Sequence, residues 1–394
     1  MARKAMLVAV LIAALLSSST SAQRTRPFPD GPRPLKLPAS PFASYSMRES
    51  TISFFVGNNT GLNSPAENAA EAKLGVVGLS WSLNNLLSNN THLEEAEAVT
   101  AKEIKQQNAS VKVMVLRNTQ VVCSYWDSAV DKLFDPLYKD YWIQNSSGDV
   151  LYSLWYSGVG PHGGPPKAFI NFANKSAVDW WVNEYVMAAV EDNPLIDGVH
   201  WDCSCEAPPK GSVSPPGFDA GFHEAWDTVN SRLLNLSKWS TTFQLVSGMP
   251  ANDTSIQAAE NCAKQMRANI HNNQVDPSGV HGTWQINFND WVGRGVGHVH
   301  QASPAAYLAA VAAFLLQRGK SAYLSLAASG HRVDKGWSPY LDTDYGQPMG
   351  VAAETANASR VFKREWSKAT VTYDCNAAVG SVQMKNGLIL GGEK

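Results

Sequence analysis

The residues best suited to chemistry gather where an apolar run ends, in Pro194-Leu195-Ile196-Asp197-Gly198-Val199-His200-Trp201-Asp202-Cys203-Ser204-Cys205-Glu206. A carboxylate at the end of a β-prone run, beside aromatic residues, can act as nucleophile, base or acid as burial and neighbours set its pKa. With a side-chain period of two, Gly198, His200 and Asp202 share one face and Val199 and Trp201 the other. The small and polar set can then line an interior while the apolar set packs against helices. Asp202 is therefore the candidate catalytic acid. Asp197, at ~3.3 Å per residue, lies well below that strand end and reads as structural.

Hydrolysis of a glycosidic bond by carboxyl groups needs two of them, ~5 Å apart for retention or ~6.5–9.5 Å for inversion. Glu206 is close enough in sequence to share the strand mouth with Asp202. Asp342 and Asp344 occupy a later loop from which they could reach it, whereas Glu260 sits on a helical pattern that reads as a solvated face. His271, His281, His298 and His300 lack ligand spacing. His200 with Cys203 and Cys205 has no second cluster of zinc-type spacing, so no metal or cofactor is expected. No Gly-x-Ser-x-Gly elbow, Gly-x-Gly-x-x-Gly turn or phosphate loop is present, which disfavours serine-hydrolase and nucleotide chemistry.

The elements that must position these residues alternate. Strands are expected at 52–57, 74–81, 111–116, 243–246, 279–288 and 321–327 besides the one ending at Asp202, with helices at 64–73, 91–107, 176–190, 218–234, 255–268 and from Ser303 to just before Gly319. Thr91-His92-Leu93-Glu94 reads as a capping box. Strands alternating with helices of this length argue for parallel βα units, and seven or eight of them predict an α/β chain, a (β/α)8 barrel, with active residues at the strands' carboxyl ends. Residues 138–166, rich in Gly, Pro and aromatics, read as a functional loop. From Val361 the run Ala369-Thr370-Val371-Thr372-Tyr373 predicts a small β-structured C-terminal extension. The domain reading is signal peptide 1–22, Pro-rich leader 23–44, barrel 45–355 and β extension 356–394.

Met1-Ala-Arg-Lys4, the apolar run to Leu16 and the small-residue tract to Ala22 predict a cleaved secretory signal, too short an apolar core to span a bilayer. Acceptor triplets at Asn58, Asn89, Asn108, Asn145, Asn174, Asn235, Asn252 and Asn357 predict a secreted glycoprotein carrying N-linked glycans. In that oxidising setting five cysteines allow at most two internal disulfides. Cys203 and Cys205 are too close to join each other comfortably, so each is expected to pair among Cys123, Cys262 and Cys375. A net charge of -2 argues against a nucleic-acid surface. Thirteen tryptophans suit the apolar faces of sugar rings, although core packing must account for most of them.

Ile196-Asp197-Gly198-Val199-His200-Trp201-Asp202 resembles the Asp-Gly-(apolar)-x-x-Asp fourth-strand motif of the glycoside-hydrolase-like TIM barrels related to endo-α-1,4-polygalactosaminidases. Asn171-Phe-Ala-Asn174, Asp342-Thr-Asp344-Tyr-Gly346-Gln-Pro348 and Val361-Phe-Lys-Arg364-Glu-Trp366 are similar to later segments of that group, in the same order. The resemblance implies that Asp202 is the fourth-strand catalytic acid. It also implies a glutamate at the end of the sixth strand, where Gln285 stands in Gly282-Thr283-Trp284-Gln285. A glutamine cannot protonate a leaving group, so either another acid serves or the chain binds glycans without cleaving them. The expected function is a secreted polysaccharide hydrolase using Asp202 and Glu206 or another acid. Trp81, Arg117, Asn171, His200, Trp284, Gln285 and Asp344 are expected to contact substrate.

Overall fold

The computed structural model describes residues 44–56, 61–80, 83, 93–123, 126–152, 167–202, 215–242, 245–246, 255–275, 284–287, 303–325, 337–387 and 389–390. At 54–56, 202, 242, 245–246, 284–287 and 389 only the backbone is described.

The expected alternation is present. In order, β1 (Thr51–Val56), α1 (Pro65–Glu71), β2 (Val76–Leu79), α2 (Leu93–Gln107) and β3 (Lys112–Asn118) are followed by β4 (Val121–Cys123) and α3 (Asp127–Phe134). Next come β5 (Lys167–Phe169) and α4, a helix of Lys175–Trp180 that continues through wide π turns at Trp181–Met187 into Ala188–Glu191. Then follow β6 (Gly198–Asp202), α5 (Phe218–Asn235), β7 (Trp239–Thr242), β8 (Leu245–Val246), α6 (Ile256–Ile270), β9 (Trp284–Asn287), α7 (Pro304–Gln317) and β10 (Ala322–Ser325).

Local chemistry explains the helix starts. Ser64 Oγ accepts from Glu67 N while Glu67 Oε2 accepts from Ser64 N at 2.6 Å, and Pro65 occupies the first turn of α1. Ser255 and Ser303 cap α6 and α7 through Oγ alone, which accepts from Ala258 N and Ala306 N. At the start of α2 the Glu94 carboxylate reaches a neighbouring helix. Its oxygens accept from Ser128 N (3.1 Å) and Ser128 Oγ (2.6 Å), supplying α3 with the cap its own Trp126 does not provide. Thr91 lies outside the described residues.

The parallel strands form one sheet in the order β7-β6-β3-β2-β1-β10-β9-β8, while β4 and β5 pair antiparallel beside it. Its two outermost strands, β7 and β8, are separated in the chain only by residues 243 and 244, which lie outside the described residues. With no room for a helix between them, the eight segments are not eight βα units, and the fold is a mixed α/β arrangement around a parallel sheet.

Trp201 identifies the helix-facing side of the sheet. Its ring stacks on Trp181 of α4 at 5.6 Å and 16° and lies 4.9 Å from Trp226 of α5. The opposite side begins with a buried apolar cluster of Ile52, Val76, Met114, Trp239 and Tyr323. Gly198 opposes Met114 and Trp239 in register, and a Cβ there would overlap the Trp239 carbonyl oxygen, so no larger residue fits.

A separate antiparallel sheet of β11 (Ala353–Glu354), β12 (Val361–Glu365), β13 (Ala369–Asp374), β14 (Val379–Met384) and β15 (Ile389–Leu390) follows. Its strands alternate buried and exposed residues, as a one-sided sheet must. Gly380 lets β14 lie close on α7, since a Cβ there would come within 2.7 Å of Ala309 and Ala312. Cys262 of α6 and Cys375, which ends β13, form a disulfide. This corrects the expectation that Cys203 and Cys205 would each find a partner among Cys123, Cys262 and Cys375, because the fold brings the Cα atoms of Cys262 and Cys375 to 5.7 Å and joins two of those three to each other.

Two buried arginines, Arg318 and Arg364, join these parts through neutral acceptors. Arg318 Nη2 donates to Ser50 Oγ (2.6 Å) and Ser44 O (2.5 Å), at the entrance to β1, while Arg364 Nη1 donates to Leu315 O and Arg318 O beyond the end of α7. The free carbonyls of a helix C-terminus suit a cation. Burial still pushes the Arg318 guanidinium down to about 9 and that of Arg364 to about 10.

Candidate functional site

The inner face of the sheet changes character from one end of the strands to the other. Above the apolar layer, the residues two and four places on from Gly198, Met114, Trp239 and Tyr323 include His200, Asn118, Thr241 and Ser325, all buried and all polar. His200 is in register with Leu116 and Thr241, and Asn118 is in register with Asp202. A polar lining at the carboxyl ends of parallel strands is the arrangement in which such sheets carry ligands. Burial pushes the His200 imidazole well below its ordinary pKa, so it is neutral and keeps both a donor and an acceptor nitrogen.

Asp202 is the last residue of β6. Its side chain, all of Glu206 and Trp81, and the side chains of Trp284 and Gln285 lie outside the described residues. The backbone places Trp284 and Gln285 on β9, in register with Ala322 and Tyr323.

The other expected site residues separate. Arg117 is on the helix-facing side of β3, next to the inward Leu116 and Asn118, with its guanidinium fully buried. Its Nε donates to the Tyr185 carbonyl (3.0 Å) within the π turns of α4, and its Nη1 donates to both carboxylate oxygens of Glu97. The cation also sits over the rings of Trp126 and Tyr185. Asn171 precedes α4, where its Nδ2 donates to Asp140 O at 3.2 Å and its Oδ1 accepts from Ala173 N. Asp344 is exposed and paired with Lys368, a hydrogen bond that holds its carboxyl below the ordinary range.

Asp197, at the other end of β6, accepts from Lys105 Nζ (2.6 Å), Lys112 Nζ (3.5 Å) and Val113 N (2.9 Å). These bonds tie β6 to β3 and α2, the structural part its sequence position indicated. Most described tryptophans are packing residues. Trp126, Trp142, Trp180, Trp181, Trp201, Trp226, Trp239 and Trp366 are buried. A cavity of about 520 Å³ lined by Val130, Asp131, Lys132, Phe134, Asp135 and Tyr138 involves α3 and the turn after it, and includes none of the expected site residues. Among the described residues no group of His, Cys, Asp and Glu side chains is arranged to hold a metal ion.

Residues missed in the sequence are Asn118, Thr241 and Ser325. Their signal in the sequence is strand parity, and for Thr241 even that is hidden, because residues 239–242 carry no apolar alternation that marks a strand.

No protein-family model matches the chain, and no curated protein matches it. Solved structures do. The GH31 dextranase of Flavobacterium johnsoniae complexed with glucose aligns over 78% of this chain and 38% of its own, at 13% identity and a TM-score of 0.46. The noncanonic maltogenic alpha-amylase AmyB of Thermotoga neapolitana aligns over 82% of this chain and 85% of its own, at 9% identity and a TM-score of 0.46. The sucrose 6F-phosphate phosphorylase of Thermoanaerobacter thermosaccharolyticum aligns over 87% of this chain and 97% of its own, at 9% identity and a TM-score of 0.45. The chain thus spans well under half the length of the dextranase. Similarity this distant assigns no activity.

Proposed function

We propose that the chain is a secreted glycoside hydrolase of an extracellular polysaccharide, with Asp202 as one of two catalytic carboxyls and Glu206 or another acid as its partner. The observation that carries this reading is the passage from apolar to polar residues along the inner face, with Asp202 last on its strand and in register with Asn118. In this reading the sheet closes into a barrel, giving the polar end a single mouth. Residues 1–22 act as a removed signal, 23–44 as a leader, 45–355 as the barrel and 356–394 as its β extension. The exposed Asn145, Asn235 and Asn357 serve as glycan acceptors.

A glycan-binding barrel without turnover is the second reading, favoured by Gln285 on β9 in register with Tyr323. Reducing-end release from a panel of soluble starch, dextran, laminarin, xylan, galactomannan, pectin and chitosan separates the two. The wild type releases ends from at least one polymer, and Asp202→Asn, with unchanged thermal unfolding, does not. Asp197→Asn serves as control, losing about 1–3 kcal/mol of stability with its hydrogen bonds but keeping turnover per folded molecule. Binding without release by the wild type selects the second reading, and full activity in Asp202→Asn removes Asp202 from the mechanism.

A further inference from the structure

Trp337 is the one tryptophan among the described side chains that is not buried. Its indole Nε1 donates to Asp342 Oδ2 at 2.8 Å, so the ring is fixed in orientation without being covered. Asp342 is exposed, and its Oδ1 takes no hydrogen bond among the described residues.

The segment that carries the pair is braced. Ser338 Oγ accepts from Tyr340 N, Thr343 Oγ1 donates to Pro339 O, Tyr345 Oη donates to Tyr340 O at 2.9 Å, and Leu341 is fully buried. The Tyr340 ring lies 6.1 Å from that of Tyr307, in the first turn of α7. The Tyr307 hydroxyl is held above its ordinary pKa chiefly by burial, with the Tyr345 hydroxyl and the Asp342 carboxylate adding to the effect.

The position of Tyr307 fixes the location. The end of α7 leads within a few residues into the start of β10, and Arg318 just past that end reaches Ser50 at the start of β1. The first turn of α7 therefore stands at the opposite end, the one where the strands terminate and the inner face turns polar.

We infer that Trp337 and Asp342 form a sugar-binding subsite at the rim of the strand-end face, the indole stacking on the apolar face of a pyranose ring and Asp342 Oδ1 accepting from one of its hydroxyls. The inference rests on the carbohydrate reading above. It assigns to this rim a saccharide unit away from the bond that reacts, so the pair sets affinity and chain-length preference and is not itself catalytic. An aromatic face with a carboxylate beside it fits a neutral or amino sugar and repels an acidic one.

The test uses the full chain and the same seven polymers in affinity electrophoresis, with KM and kcat where turnover is measured. Trp337→Ala is expected to bind the responsive polymer ~5-fold to 10-fold more weakly, with kcat kept and KM raised by the same factor. Trp337→Phe is expected to fall between, and Asp342→Ala to show a smaller loss. Thermal unfolding of each variant monitors folding, and the conservative Trp337→Phe keeps the question open to measurement if Trp337→Ala does not fold. Wild-type affinity in folded Trp337→Ala, or in Trp337→Phe alone when the alanine variant is unfolded, overturns the subsite while leaving the proposed function standing. A wild type that binds none of the polymers overturns both.

Discussion

The guanidinium of Arg117 donates through one nitrogen to both carboxylate oxygens of Glu97, at 3.1 Å each, in a layer between sheet and helices that water does not reach. From its sequence position this arginine is expected to contact substrate. It faces the other way because β3 alternates, and Leu116 and Asn118 take the inner face.

This pair gives the protein an acid whose effect on stability has an unusual sign. Burial pushes Glu97 from 4.5 up to about 7 against the pull of Arg117. Between those values the folded chain holds a proton that the unfolded chain has released, so this contribution is full below about 4.5 and is lost as pH rises through about 7. Thermal unfolding of wild type and Glu97→Gln from pH 4 to 8 is expected to show a downward slope in the wild type that the variant lacks. Parallel profiles would remove Glu97 as its source.

The Cys262–Cys375 disulfide closes a segment with a sequence separation of 113 and fastens the antiparallel sheet to α6. Losing a native crosslink commonly costs about 2–5 kcal/mol, mainly by freeing the unfolded chain. Cys375→Ser should lower the unfolding free energy measured in urea by that much, and a reductant should bring the wild type to the same value. A wild-type midpoint indifferent to reductant would show that the crosslink adds nothing to stability.

Gly198 is where sequence and packing meet most tightly, since a methyl group there would strike the Trp239 carbonyl and approach Met114 Cε at 3.0 Å. Gly198→Ala should cost on the order of 1–3 kcal/mol by overpacking, measured by chemical unfolding. Because His200 and Asp202 lie on the same strand, the variant should also lose activity by displacing them. A midpoint within error of the wild type would mean that the strand moves without cost.

What the sequence disclosed follows from local physics. The helix starts at Ser64, Ser255 and Ser303 and the alternation along β6 are written in adjacent residues and are legible there. Trp239–Thr242 was not, because the run is polar apart from its tryptophan and owes its place in the sheet to pairing with β6. The cysteine pairing also depended on tertiary approach, since α6 and the end of β13 meet only in the folded chain. For the site, strand parity sufficed to place His200 inward, whereas Asn118, Thr241 and Ser325 became visible only once neighbouring strands were in register.

The grip of Arg318 on Ser44 and Ser50 spans separations of 274 and 268 residues, and β1 has β10 as a neighbour as well as β2. A chain made from its N-terminus therefore cannot seat its first strand until most of its length has emerged. Early strands must wait with one edge unpaired, and such long-range closure is slow and exposed to aggregation. During biosynthesis this protein should depend on chaperones for an unusually large fraction of its translation time.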